Sequence, residues 1–457
     1  MSSNPPSATF RKIDFSLTRP ILLLTIPVAL TRQLDNLVGM ADIFMVGKLG
    51  PEAISAVGIA RTIIGVIFVT VIAVTTGTFT LVAQAIGAKD MQSASSTAKQ
   101  SFILLFFISL LLSGLGVTFL PFLLRALSLP AGVIALSTVY LSIFFLGSPF
   151  MVLGFAITTC LQAAGDTRTP FYISVISSIV KIIMGYLLIF GMWGLPEMGV
   201  AGAATGGIIG RAVSMVIGFS LLYSGKLAVR LVPGTSYRPE TNLTWRILRI
   251  GIPAAFQGLL RNGSSVAYIK LVAMTTASTA AIAAFSIGSQ LERVLHTITL
   301  AFGTAATTLV GQSLGAKKID EADTRGWTTL VISLIAVLTI GFPFLFFTHT
   351  LIGFFTQDSS VIQIGALFLI MVILSEPFLC VAQVSGGSLR GAGDTMPPLY
   401  YTLIAQWIIR LPGAYFLAFT LGYDIEGIWY SLVVFSAIQG FLTVRKYAQG
   451  HWKSRRI

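Results

Sequence analysis

The chain has 457 residues, of which 55% are hydrophobic and only 10% charged, with a formal net charge of +13. Ordinary soluble domains carry about 25% charged residues, so a globular protein with a fully solvated surface is excluded. Two cysteines, Cys160 and Cys380, both in apolar runs, exclude a disulfide framework and a zinc-binding spacing.

The polar start MSSNPPSATFRKIDF lacks a short apolar stretch before a cleavage site, so no signal peptide is expected. Twelve apolar spans follow, at 20–46, 53–84, 97–124, 132–163, 170–193, 199–223, 251–275, 280–311, 326–350, 361–388, 397–421 and 427–444. A helix crosses a bilayer in about 20 residues, which predicts an all-α polytopic membrane protein. With the connecting segments placed on alternating sides, the side of both termini carries 20 of the 30 Lys and Arg, and the opposite side only Lys48 and Arg125. Bases gather on the cytoplasmic side of membrane proteins. Both termini are therefore expected in the cytoplasm, and the positive charge serves topology and lipid headgroups rather than nucleic acid.

The first span holds Asp35 and Asp42, seven residues apart and so on one helix face about 10 Å apart along the axis. Arg32, three residues before Asp35, can pair with it. Asp42 has only Val38, Gly39, Met45 and Val46 at those spacings, and an unpaired, poorly solvated acid can take up and release a proton near neutral pH. Intramembrane ionisable groups are functional candidates. With Lys99 at the edge of the third span counted to the cytoplasmic side, the spans hold four acids (Asp35, Asp42, Glu292, Glu376) and eight bases (Arg32, Arg61, Lys181, Arg211, Arg261, Lys270, Arg293, Arg410).

Several phrases recur at an offset of 228 residues. They are VAQAIGAKDMQSA (82–94) with VGQSLGAKKIDEA (310–322), LQAAGDTRTP (161–170) with LRGAGDTMPP (389–398), AISAVGIARTI with AIAAFSIGSQL, and SPF with EPF. One shared register means an internal duplication. The expected lobes are 1–225 and 247–457, six helices each, joined by the polar linker 226–246 and related by an axis along the membrane normal, as in transporters built from parallel repeats. The GDT loops read as helix stops: glycine permits the exit and Asp or Thr caps the next helix.

Together, ADIFMVGKLGPEAISAVG after the first span, LVAQAIGAKD after the second, GAGDT after the fourth and tenth, and GVAGAA opening the sixth resemble the multidrug and toxic compound extrusion (MATE) family. The resemblance implies a monomer-sized secondary transporter, taken to act as a monomer, that exports small organic substrates against inward proton or sodium flux, without cofactor or bound metal. It places the coupling acid at Asp42, with Asp35 beside it and Thr205 as a loosely placed polar lining residue. The fifth-span positions where many members carry Asn and Asp hold Lys181 and Gly185, which weakens a sodium site and favours protons. Lys181 is expected to pair with Asp42 in one conformation. The C-lobe acids of the other branch would fall near Arg261 and Leu379, so the resemblance leans toward the DinF-like branch.

The expected substrate cavity holds Arg32, Arg61, Arg261, Glu292, His296 and Glu376, with Glu292 and His296 a protonatable pair at i,i+4. Bases outnumbering acids point to anionic or amphiphilic metabolites beside drugs. Two other classes stay open: a lipid-linked-precursor flippase, which often carries two further helices, and a membrane-embedded enzyme, for which no nucleophile–base pair or metal spacing stands out. GQSLG (311–315) fits a nucleophile elbow in letters alone, without strand–turn–helix context.

Overall fold

The computed structural model describes residues 13–127, 130–225, 227, 229, 231 and 240–454, and among them there is no strand. The twelve long helices are α1 (Thr18–Gly47), α2 (Pro51–Gly87), α3 (Met91–Ala126), α4 (Ala131–Ala163), α5 (Arg168–Phe190), α6 (Val200–Tyr223), α7 (Thr241–Ala273), α8 (Ser278–Gly315), α9 (Ile319–Gly353), α10 (Ser359–Gly391), α11 (Met396–Thr420) and α12 (Asp424–Ala448). Eleven are long and apolar enough to cross a membrane. The remaining helix, α7, carries Arg246, Arg249, Arg261 and Lys270. The ends of the chain with Arg11, Lys12, Arg455 and Arg456, and most of the linker, lie outside the described residues.

The helix stops are the most literal part of the repeat. After α2 and α8 the backbone turns left-handed at Lys89 (φ 57°) and Lys317 (φ 60°), and after α4 and α10 at Gly165 (φ 88°) and Gly393 (φ 75°). The GDT stops close alike: the amides of Asp166 and Asp394 donate to the carbonyls of Leu161 and Leu389 at 2.9 and 2.8 Å. This satisfies carbonyls that a helix end otherwise leaves orphaned. The Asp166 carboxylate then accepts from the Thr169 amide (3.0 Å), capping α5. The repeated phrase is a backbone device.

By its contacts the chain divides into two packing units, residues 27–255 and residues 1–26 with 256–457. Two short segments thus lie across the lobe boundaries expected from the repeat. Residues 13–26 pack in the second unit, where Ile21 is buried with Phe302, Ala306 and Val384. The first turns of α7 pack in the first unit. A Cβ on Gly77 would come within 2.0 Å of the Ile247 carbonyl oxygen, and one on Gly251 within 1.4 Å of that of Ala73. Only glycine lets two helix backbones approach so closely. Both bridging helices carry an internal proline, Pro27 in α1 and Pro253 in α7.

Inside, the units are filled differently. The first packs aliphatic groups such as Ala60, Leu120, Leu124 and Leu141 around Phe145. The second centres on Tyr268, Phe368, Trp429 and Phe435 with Phe285. There the Phe285 and Trp429 rings stack 6.1 Å apart, and Phe368 meets Trp429 edge-on at 4.7 Å.

Candidate ion-coupling and substrate site

Asp42 is buried on α1 in the first packing unit. Its own helix supplies no cation, but two other helices do. The Lys181 ammonium on α5 lies 2.6 Å from Asp42 Oδ2, and the Arg61 guanidinium on α2 lies 3.4 Å from the same oxygen. Arg61 also donates to the Gly39 carbonyl at 2.9 Å, one turn before Asp42. Spacing along α1 shows no cation for Asp42, and its partners come from tertiary packing: Lys181, as expected from the departure from the family pattern, and Arg61, which was not expected there.

Lys181 reaches Asp42 because α5 and α6 are pressed together. A Cβ on Gly206 would come within 2.6 Å of the Gly185 backbone, and one on Gly210 within 2.8 Å of Lys181 Cβ and the Ser177 carbonyl oxygen. Small residues at every fourth position of α6 thus fix α5 sideways. The Thr205 hydroxyl on the same helix donates back to the Ala201 carbonyl (2.9 Å). Tyr140 on α4 lies within electrostatic range of both Asp42 and Arg61; in the apolar run STVYLSIFF it reads as core, and sequence reasoning missed it.

Asp35 lies 3.8 Å from Arg211 of α6, both about half exposed, a cation that comes from another helix. A buried acid sharing one oxygen between two cations is a switch in form. As a carboxylate it holds α1 to α5 and α2. As a neutral acid it leaves two cations without their counter-charge, a costly state in a bilayer.

The second unit has its own polar cluster. Glu376, 1% exposed on α10, accepts from the Thr299 hydroxyl at 2.5 Å and has His296 Nδ1 at 3.4 Å. The close acid of His296 is therefore Glu376, not the Glu292 expected from i,i+4 spacing. Glu292 stays within electrostatic range of His296, Glu376, Arg293 and Arg410. Arg261, exposed on α7, offers its carbonyl to the hydroxyls of Ser264 and Ser265. Both cysteines are buried and free, and Cys380 contacts the Ser333 hydroxyl at 3.2 Å. Among the described residues no group of three or more His, Cys, Asp or Glu could hold a metal ion.

The profile of the MatE family matches residues 27–187 and 253–416, one match in each half. The chain belongs to the MatE family. It is 28% identical over 453 residues to the probable multidrug resistance protein NorM of Thermotoga maritima, covering 96% of this chain and 94% of that protein. It is 26% identical over 463 residues to the probable multidrug resistance protein YoeA of Bacillus subtilis, covering 100% and 98%. Its fold matches an outward-facing multidrug resistance MATE family transporter of the MOP superfamily, with a TM-score of 0.87, 18% identity, and 96% and 98% of the two chains covered. It equally matches a MOP superfamily transporter from Pyrococcus furiosus described as having a binding pocket of reverse polarity (TM-score 0.87, 18% identity, 94% and 95% covered). This MatE protein is thus a multi-pass membrane transporter of the multidrug efflux kind, not an enzyme.

Proposed function

We propose that this MatE protein is a secondary antiporter of the DinF-like branch, exporting amphiphilic organic compounds across the cytoplasmic membrane in exchange for protons taken up at Asp42. The carrying observation is the Asp42–Lys181–Arg61 cluster. A sodium ion needs several oxygen ligands in a compact shell, whereas an ammonium and a guanidinium converge on Asp42 Oδ2. A proton needs only that oxygen. Its arrival releases Lys181 and Arg61, and its departure restores the clamp, so the two states of α1 against α5 have the differential interaction a coupled cycle requires.

The excess of bases among intramembrane charges supports substrates that include organic anions. The reverse-polarity pocket described for the Pyrococcus furiosus transporter is a parallel. Charge asymmetry supports cytoplasmic termini, which an impermeant thiol reagent tests on cysteines placed in residues 226–246 or 446–457: labelling without permeabilisation reverses the topology.

The central experiment reconstitutes the protein in liposomes and imposes the proton and sodium gradients separately. Accumulation of an amphiphilic dye is expected with the proton gradient alone. Transport driven by sodium alone overturns the proposal.

A further inference from the structure

Along α5 and α11 the two halves leave the register that the GDT stops share. Asp166, Thr167 and Pro170 match Asp394, Thr395 and Pro398 at an offset of 228, but the tyrosines before LLIF and FLAF, Tyr186 and Tyr415, are 229 apart. One extra residue lies between, and α11 absorbs it by widening into a π-helical turn over Ile404–Arg410. Such turns are rare and frequently occur at functional sites. In the shifted register Lys181 and Arg410 correspond, each five residues before its tyrosine.

Their partners correspond as well. Pro27 and Pro253, and the triplets ADI (41–43) and AYI (267–269), share an offset of 226, which pairs Asp42 with Tyr268. In the first unit Lys181 Nζ lies 2.6 Å from Asp42. In the second the Arg410 guanidinium lies 3.8 Å from the centre of the Tyr268 ring and 4.8 Å from that of Phe435. The acid of one site has become the aromatic face of the other.

That exchange leaves a cation without an ion pair. Arg410 is 9% exposed, its Nε has no hydrogen-bond partner, and among the described residues no carboxylate lies within ion-pair distance. The aromatic rings stabilise its charge through their faces and leave Nε, one edge of its planar fork, without a partner. Glu292 is within electrostatic range without contact. A guanidinium presented this way is suited to two parallel hydrogen bonds with an oxyanion.

We propose that Arg410, held against Tyr268 and Phe435 by the π-helical turn, binds the carboxylate, sulfonate or phosphate-ester group of an amphiphilic anionic substrate. This rests on the transport reading above and names its substrate class. The placement also fits exchange. An anion beside Lys181 would bind best once Asp42 is protonated, so proton and anion would favour the same state. An anion on Arg410 does not compete for the Asp42 clamp and escapes that link.

The test uses the full chain in nanodiscs, with radiolabelled taurocholate below its micellar concentration as the sulfonate and tetraphenylphosphonium as the cationic control. Wild type is expected to bind taurocholate. Arg410→Gln should weaken it by about tenfold or more, Arg410→Lys by less since it keeps charge but loses the fork, and neither should weaken tetraphenylphosphonium. If Arg410→Gln does not fold, Arg410→Lys decides by the same contrast. The proposal is overturned by wild type failing to bind taurocholate, by unchanged affinity in the decisive variant, or by equal loss for both probes. Wild type that binds taurocholate but does not move it under a proton gradient sinks the export reading and leaves the site intact.

Discussion

At the end of α2 the chain turns left-handed at Lys89, and 228 residues later, at the end of α8, it does so at Lys317. Midway along the helices the likeness ends. The first unit sets Asp42 between Lys181 and Arg61, while the second sets Tyr268 against Arg410 amid the rings of Phe285, Phe368 and Trp429. Helix ends answer to backbone hydrogen bonding, which is the same in both copies, so they stay alike. Helix middles are free of that constraint, and there the copies part. Duplication supplied the frame twice and the chemistry once each.

The sharpest way to break this division of labour is Asp42→Asn. The variant keeps volume and hydrogen bonding but cannot exchange a proton, so gradient-driven export should fall to background while taurocholate binding stays within about twofold of wild type. Export at the wild-type rate with an unchanged pH response sinks the coupling role. Lys181→Ala comes next. It removes the nearest cation from Asp42 and with it the clamp between α1 and α5, so gradient-driven export should fall and its pH profile should differ from wild type. Purely additive effects of Lys181→Ala and Asp42→Asn would mean that the two do not act together.

Smaller effects test the shared frame. A Cβ on Gly387 would come within 2.3 Å of the Gly303 carbonyl oxygen, whereas one on Gly58 meets nothing within 4 Å. Gly387→Ala should therefore cost about 1–3 kcal/mol by overpacking and lower the thermal midpoint, with Gly58→Ala near neutral. The smallest concerns the start of α3, where the Asp90 carboxylate accepts from the Ser93 amide (2.9 Å) and hydroxyl (2.7 Å); Lys318 holds the matching place before α9. Asp90→Ala should cost about 1 kcal/mol as a lost cap, and Lys318→Ala almost nothing. The Ser93 bonds hold the Asp90 carboxyl below its ordinary 3.8. Its contribution is therefore complete above that pH and fades as pH falls through the lower folded value, a fading that the Ala variant lacks.

Legibility in the sequence follows the range of the interaction. The helices and repeated stops were readable because apolar length and turn residues are local signals. Asp42 was readable from its place in a span. Its pairing with Lys181 came from the family resemblance and the departure from it, while Arg61 at the same oxygen and Arg211 against Asp35 needed the packing of separate helices. His296 was assigned to Glu292 because i,i+4 spacing is visible in a string, whereas the contact with Glu376 across to α10 is not. Arg410 stood among eight intramembrane bases with nothing to single it out. Its signal, one extra residue between two repeated landmarks, has meaning only once α11 is seen to widen there.

The first turns of α1 and α7 bear on how the protein is made. The first packing unit is incomplete until residues 241–255 arrive to close against Ala73 and Gly77, and residues 13–26 wait for the partners of Ile21 at Phe302 and Val384. During synthesis the first unit cannot finish before the second half has begun to emerge, and residues 13–26 stay unpacked until the second half is made. A break in the linker would give two fragments, each lacking a piece that the other holds. Expressed alone, each should be unstable; expressed together, they should find one another, because each carries the other's missing helix turns.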